Sequence, residues 1–324
     1  MQWSERTGRR LFRGNFSLRP LAIALVLGTL LGCPPTTTIN HQDCNPFSKK
    51  SSDPMLELST LDHSARESLN QFRYQIDSSG NYRIQGDIVL QKNEVETKRS
   101  SSGKSLGTTY QSLLWEIDDD GVVRIDYYFD RVNADMRARI REAIDVWTAD
   151  LDGLFEFTEV FPSGDTPRPY GIRFISYEGP NECWSGIGRT ANGTTTHIGS
   201  NCDVGTVVHE IAHAVGIHHE MNRYDRDGYI DVLWCNIDDG FIDQFEKIST
   251  PDGDFGEYDF NSIMHYSRYG GSKEPDLPVM KSKINGVEVP EFPADRLSEG
   301  DIRGIKCLYL VPSFCGDGAS KGRD

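Results

Sequence analysis

Positive charge is scarce in this chain: its 324 residues hold 34 Lys and Arg against 49 Asp and Glu, a formal net charge of −15. Residues 1 to 20 carry five Arg against one Glu, so the rest of the chain stands at −15 − 4 = −19. So acidic a balance argues against a nucleic-acid or anionic-membrane surface and fits a solvated, exported protein. Long hydrophobic runs are missing too. The apolar stretch from Leu21 to Leu31 is too short to serve as a permanent membrane-spanning helix, which takes about 20 residues. No internal repeat stands out, which argues against a solenoid. A content of 37% hydrophobic and 26% charged side chains allows one good-sized domain plus extra segments.

The N-terminus reads as a targeting segment. Basic residues up to Arg19 precede the apolar run, which ends in Leu30-Leu31-Gly32-Cys33. That ending resembles the lipobox of bacterial lipoproteins and makes Cys33 the expected lipidation site, with Leu31 where a small residue is more usual. Arg9-Arg10 resembles a twin-arginine signal only faintly. Pro34 to Asp53 is polar and turn-rich, a tether. Next come a short helical pattern (Met55, Leu58, Leu61) and a strand-like stretch from Tyr82 to Leu90. The basic, serine-rich run Lys98-Arg99-Ser100-Ser101-Ser102-Gly103-Lys104 then reads as an exposed processing site.

The chemistry is concentrated in His209-Glu210-Ile211-Ala212-His213-Ala214-Val215-Gly216-Ile217-His218-His219. On a helix, His209 and His213 at i and i+4 share one face, and Glu210 sits beside the fourth ligand position. Gly216 has no Cβ and tolerates positive φ, so the chain leaves the helix there and turns back to bring in His219. Three neutral imidazoles make an open site for one Zn2+, which lowers the pKa of water towards ~7. Val207, Val208, Ile211, Ala212 and Val215 would also suit a buried stripe, but chance does not produce the full run. His218 falls off the ligand spacing, and His197 and His265 read as structural.

Around this motif, Val122 to Phe129 alternates as a half-buried strand, and Gly171 to Tyr177 reads as another. Met136, Ile140, Ile144 and Trp147 recur at helical spacing, predicting an amphipathic helix over 134 to 151 packed on a sheet. Beyond Gly216 the chain is irregular until a last helix begins at Ser298, capped by a Ser-x-x-Asp box with Asp301.

Glu220, Arg223, Asp225, Arg226 and Asp227 after the motif, with Ser262-Ile263-Met264-His265-Tyr266 farther on, give residues 106 to 312 a sequence similar to the astacin family of metzincin zinc endopeptidases. The resemblance implies an α+β fold of two lobes, a sheet-plus-helix N-terminal lobe and an irregular C-terminal lobe, with the active-site cleft between. It makes Met264 a hydrophobic floor under the metal and Tyr266 a fifth ligand that also stabilises the oxyanion. Glu220 would hold the new N-terminus of the mature enzyme, and Thr194 to Ile198 would be the sheet edge that takes up extended substrate. Cys183 would pair with Cys202. The first cysteine of the family's second bridge is missing, its place falling near Leu154 to Phe157; Cys235 with Cys307 or with Cys315 is one substitute, and sequence leaves the pairing of Cys44, Cys235, Cys307 and Cys315 open. Were the enzyme cut away from Cys44, five cysteines would remain and one would be unpaired. A basic residue selecting acidic substrates would come from Lys281, Lys283 or Arg296.

Ile84-Gln85-Gly86-Asp87-Ile88 resembles the family's propeptide motif, whose aspartate ligates the zinc and excludes water; Ile84 replaces the usual Phe. Asp87 is thus a metal ligand in a latent precursor, activated by a cut between Lys98 and Leu106 that leaves the propeptide on its anchor and frees the enzyme. The expected organisation is a signal peptide (1–32), a tether and propeptide (33–105), a catalytic domain (106–312) and a tail (313–324). The expected activity is zinc-dependent hydrolysis of peptide bonds in proteins, Glu210 passing a proton from the attacking water to the leaving amine. The protein would be a monomer, exported and then lipid-anchored at the bacterial cell envelope through Cys33 or secreted after processing. Two rivals remain: an inactive extracellular binding module stabilised by zinc, and a small-molecule metallohydrolase.

Overall fold

The computed structural model describes residues 44–45, 74–76, 81–84, 87–90, 113–162, 170–176, 179, 181–190, 192–248 and 256–310. Cys33, the Met55–Leu58–Leu61 pattern, the stretch from Lys98 to Leu106, Cys315 and the tail lie outside them. Among the described residues no helix is long and apolar enough to cross a membrane.

Among the described residues, ten strands and three helices follow the hydrophobic pattern. Strands β1 (Tyr74–Ile76), β2 (Tyr82–Ile84) and β3 (Ile88–Leu90) form an antiparallel meander. The single stretch expected from Tyr82 to Leu90 is therefore two strands, with Asp87 in the turn between them. Then come β4 (Val123–Asp130), β5 (Phe155–Glu159), β6 (Ile172–Ile175), β7 (Cys183–Ser185) and β8 (Thr194–Ile198). The eight strands make one sheet in the order β1-β2-β3-β7-β8-β6-β4-β5. β4 runs parallel to β5 and β6, β6 runs parallel to β8, and β7 is antiparallel to β8.

This order corrects the expected cleft edge. β8 lies between β6 and β7, and all five of its residues are buried, so it is an interior strand. The outer strand of the catalytic part is β7, and β3 is paired to it in parallel at Ile88 and Ser185. Thr194 to Ile198 carries polar threonines that look exposed in sequence, yet Thr194 Oγ1 bonds the Gly188 carbonyl and Thr196 Oγ1 lies 2.9 Å from Ser185 Oγ. Those bonds are what let the threonines sit inside.

Helix α1 (Ala134–Asp150) starts where Asn133 accepts from the Met136 N–H at 2.9 Å. It buries Met136, Ile140, Ala143, Ile144 and Trp147 along one stripe against the sheet. Trp147 Nε1 donates to the Val208 carbonyl at 3.1 Å, which fastens α1 to helix α2 (Val204–Ala214). A second core, built of Met221, Ile230, Val232, Trp234, Ile237, Phe245, Tyr258, Val279, Met280 and Val289, organises the irregular half. There the regular pairing is β9 (Ile230–Val232) with β10 (Met280–Ser282), alongside several short 3-10 turns. Helix α3 (Glu299–Tyr309) returns to the first core, where Ile305 and Tyr309 are buried. Two cores, one sheet-based and one irregular, are the two lobes of the expected α+β fold.

Candidate metal centre

Helix α2 sets the geometry of the site. Asp203 caps its start by accepting from the Thr206 N–H at 2.8 Å, and its interior is almost entirely buried. At its end Gly216 takes φ +102°, a conformation closed to most residues, and Gly216 N and Ile217 N donate back to the carbonyls of His213 and Ala212 at 2.8 and 2.9 Å. This paired closure ends the helix and reverses the chain. His219 is thereby returned to the face that holds His209 and His213.

The three Nε2 atoms converge. His219 Nε2 lies 3.2 Å from Nε2 of His209 and 3.2 Å from Nε2 of His213. In two of the three the opposite ring nitrogen is committed: His209 Nδ1 is 2.8 Å from the Ile263 carbonyl and His213 Nδ1 is 2.7 Å from the Ile217 carbonyl. Each of these Nδ1 atoms therefore carries the proton, which leaves its ring's Nε2 a bare acceptor. Acceptors crowd together like this only around a cation. Zinc–nitrogen bonds of about 2.0–2.1 Å at tetrahedral angles require neighbouring nitrogens roughly 3.3 Å apart, which the spacing matches. Burial holds His213 down at about 4, so it is neutral and able to ligate at any ordinary pH.

Asp87 completes the donor set. Its Oδ2 lies 3.2 Å from His219 Nε2 and 3.6 Å from His209 Nε2, and its Oδ1 lies 3.6 Å from His213 Nε2. The four donor atoms all fall within 4.8 Å of one another. Burial raises this carboxyl, but its closeness to the three imidazoles, His219 first, outweighs that and holds Asp87 well below the usual carboxylate range. Tyr266 donates its hydroxyl to Asp87 Oδ2 at 2.9 Å, and its ring packs 4.8 Å from that of His219. In the described structure the phenol thus reaches the carboxylate beside the histidines. Three imidazoles and one carboxylate fit a single zinc ion.

Glu210 follows His209 on α2, 2% exposed, and its Oε2 is buried with no hydrogen-bond partner. Burial first, and the Asp87 charge second, push its carboxyl well above the ordinary range. A carboxyl oxygen kept unpartnered inside a protein is costly unless it has a task.

Met264 is 1% exposed and sits in the first core, while Tyr266 packs on the second, so the turn carrying both joins the lobes at the site. That turn hangs on Asp301. The carboxylate that closes the α3 capping box with Ser298 also accepts from Ser262 Oγ at 2.6 Å and from the Ile263 N–H at 2.8 Å. Sequence reading found the cap and missed this second duty, for which no spacing rule exists. Glu220 N donates to the Met264 carbonyl at 3.0 Å, while its side chain accepts from Asp259 N at 2.7 Å and Arg223 Nη1 at 3.2 Å. Burial pushes Glu220 up to about 8 against the pull of Arg223.

Among the described residues, the other histidines lie outside the ligand group. His265 lies between the Tyr258 hydroxyl and the Tyr266 carbonyl, 2.7 Å from each, and His197 stacks on Trp184. His218 stays outside the ligand group. Of the candidate selectivity residues, Arg296 pairs with Asp150, Lys283 donates to the Asp227 carbonyl at 2.6 Å, and Lys281 is exposed on β10. Cys183 and Cys202 form the expected disulfide. Cys235 does not pair with Cys307 or Cys315: its partner is Cys44, 191 positions away. Cys307 is also disulfide-bonded, to a partner outside the described residues.

Fold and donor set together define a class, the single-zinc peptidase domain of metzincin type. A family model described as the astacin peptidase family matches residues 109–310, and the chain belongs to that family. It is 32% identical to Protein SpAN of Strongylocentrotus purpuratus over 62% of this chain and 34% of that one. It is 39% identical to zinc metalloproteinase nas-4 of Caenorhabditis elegans over 43% of this chain and 44% of that one. The chain thus spans less than half the length of these curated relatives. Among solved structures it is similar to high choriolytic enzyme 1, a hatching enzyme zinc-protease of Oryzias latipes (medaka), with a TM-score of 0.51 and 26% identity, covering 65% of this chain and 100% of that one.

Proposed function

We propose that this chain is a zinc-dependent endopeptidase acting on proteins or peptides, made as a latent precursor in which Asp87 occupies the metal site. The observation that carries the reading is the Asp87 carboxylate set against three convergent Nε2 atoms and the Tyr266 hydroxyl. Zinc held there supplies a Lewis-acid charge that polarises a carbonyl and makes water acidic enough to attack near neutral pH. The chain's own residues do the rest. Glu210 accepts a proton from the attacking water and delivers it to the leaving amine, a task for which its free, buried Oε2 is suited. Tyr266, once Asp87 has left, has an O–H with no carboxylate to serve and turns it to the oxyanion.

Pairing of β3 along β7 supports a protein substrate, because it marks an edge that takes extended backbone, as a small-molecule hydrolase has no need to. An intact Glu210 with its buried Oε2 unpartnered weighs against an inactive binding module. The reading includes the signal at 1–32, the tether and propeptide at 33–105 and export with Cys33 as lipid anchor, supported by the sequence pattern alone.

Enzyme freed of its Asp87 segment should digest unfolded protein, lose that activity with a zinc chelator and regain it when zinc returns. Digestion unchanged after the metal has been removed would reject the proposal. Changing Tyr266 to Phe should lower kcat by about a hundredfold, the scale of one oxyanion donor, with little change in KM. A rise in KM alone would end the transition-state role.

A further inference from the structure

Cys44 precedes the candidate processing stretch and Cys235 belongs to the C-terminal lobe, and the two are bridged. Asn45, the next residue, lines a recess of that lobe with Arg226, Ile230, Trp234, Lys247 and Lys283. A cut between Lys98 and Leu106 therefore does not separate the pieces, contrary to the expectation that it frees the enzyme. Asp87 stays on the piece held by Cys44, 87 − 44 = 43 positions away.

We propose that the Cys44–Cys235 bridge is a covalent latch: the cut enzyme is a two-chain molecule in which the Asp87 segment remains an intramolecular inhibitor, and its release requires a thiol reductant as well as a protease. The inhibitory half rests on the proposed latency, whereas the two-chain half stands on the bridge alone. A segment held on the same molecule rebinds at an effective concentration on the order of millimolar, however dilute the protein. A free peptide would be lost on dilution. Reduction is balanced by a dithiol: its two S–H bonds become one S–S bond, passing two electrons and two protons to the bridge, which opens through a mixed disulfide into the thiols of Cys44 and Cys235. Access favours this bridge, since Cys44 is exposed and Cys235 half-buried, whereas the Cys183–Cys202 bridge joins a half-buried cysteine to one that is 1% exposed.

The test uses the full oxidised chain with one site-specific protease site in place of residues 99–104. After the cut, the parent should keep its intact mass without reductant and give two fragments with a dithiol, and its specific activity should hold constant over a thousandfold dilution. In Cys44→Ser, cut alike, the fragments should part without reductant and specific activity should climb at least about tenfold on dilution. The proposal falls if the parent's fragments separate without reductant, or if its activity climbs on dilution as the variant's does. Should Cys44→Ser fail to bind zinc, mapping the oxidised parent decides: a Cys44–Cys235 linked peptide that vanishes on reduction supports the latch, and its absence overturns it. Asp87→Ala, cut and oxidised, should be active at every dilution with fragments still joined. If it stays silent, the aspartate reading fails and the covalent link stands.

Discussion

Replacing Glu210 by Gln lowers turnover by processed enzyme about a hundredfold or more, while zinc content stays at one per chain. The side chain is 2% exposed on a rigid helix, adjacent to His209, and one of its oxygens has no partner. Gln keeps the volume and the hydrogen-bonding reach, so neither helix packing nor the histidines have cause to move. It cannot carry a proton, and a positioned acid-base group contributes about 10²–10⁴-fold. Metal content and turnover measured together check the assignment, since Glu210 as a structural residue would cost stability and spare kcat. Near-normal turnover with zinc retained refutes the acid-base role.

What sequence could and could not show at this site follows from range. His209, His213 and the Gly216 turn lie within one helix and its cap, where spacing fixes direction, and the observed Nε2 convergence agrees. α1 and the cap of α3 were legible for the same reason, and only their ends differ by a residue. Contacts between distant segments were not legible. The hold of Asp301 on the 262–266 turn spans 38 and 39 positions, and nothing in the spelling of either segment announces the other. The place of β8 inside the sheet depends on β7, a three-residue strand too short for any period to reveal. Cys44 and Cys235 are bridged across 191 positions, and cysteine counting leaves such connectivity open. Asp87 is an intermediate case. Its motif named it as a metal ligand, but that it reaches the histidines from a turn between β2 and β3 shows only in the fold.

Replacing Asp87 by Ala should switch on the uncut precursor. Two attachments go with the carboxylate: its ligation to the metal site and the hydrogen bond it accepts from Tyr266 at 2.9 Å. The second alone, a bond to a charged group, is worth about 2 kcal/mol, which corresponds to roughly a thirtyfold rise in the open fraction. Loss of the ligand adds to this, and zinc should remain because the three histidines are untouched. The main-chain pairing of β3 to β7 remains too, and it acts against full activity by covering the edge where an extended substrate would add. A short peptide substrate should therefore report the unplugged site more fully than a folded protein does. Assaying uncut Asp87→Ala beside the uncut parent, with zinc measured in both, decides the matter. A variant as inactive as its parent with zinc still bound would mean that latency comes from the strand cover alone, the carboxylate merely filling space beside the histidines.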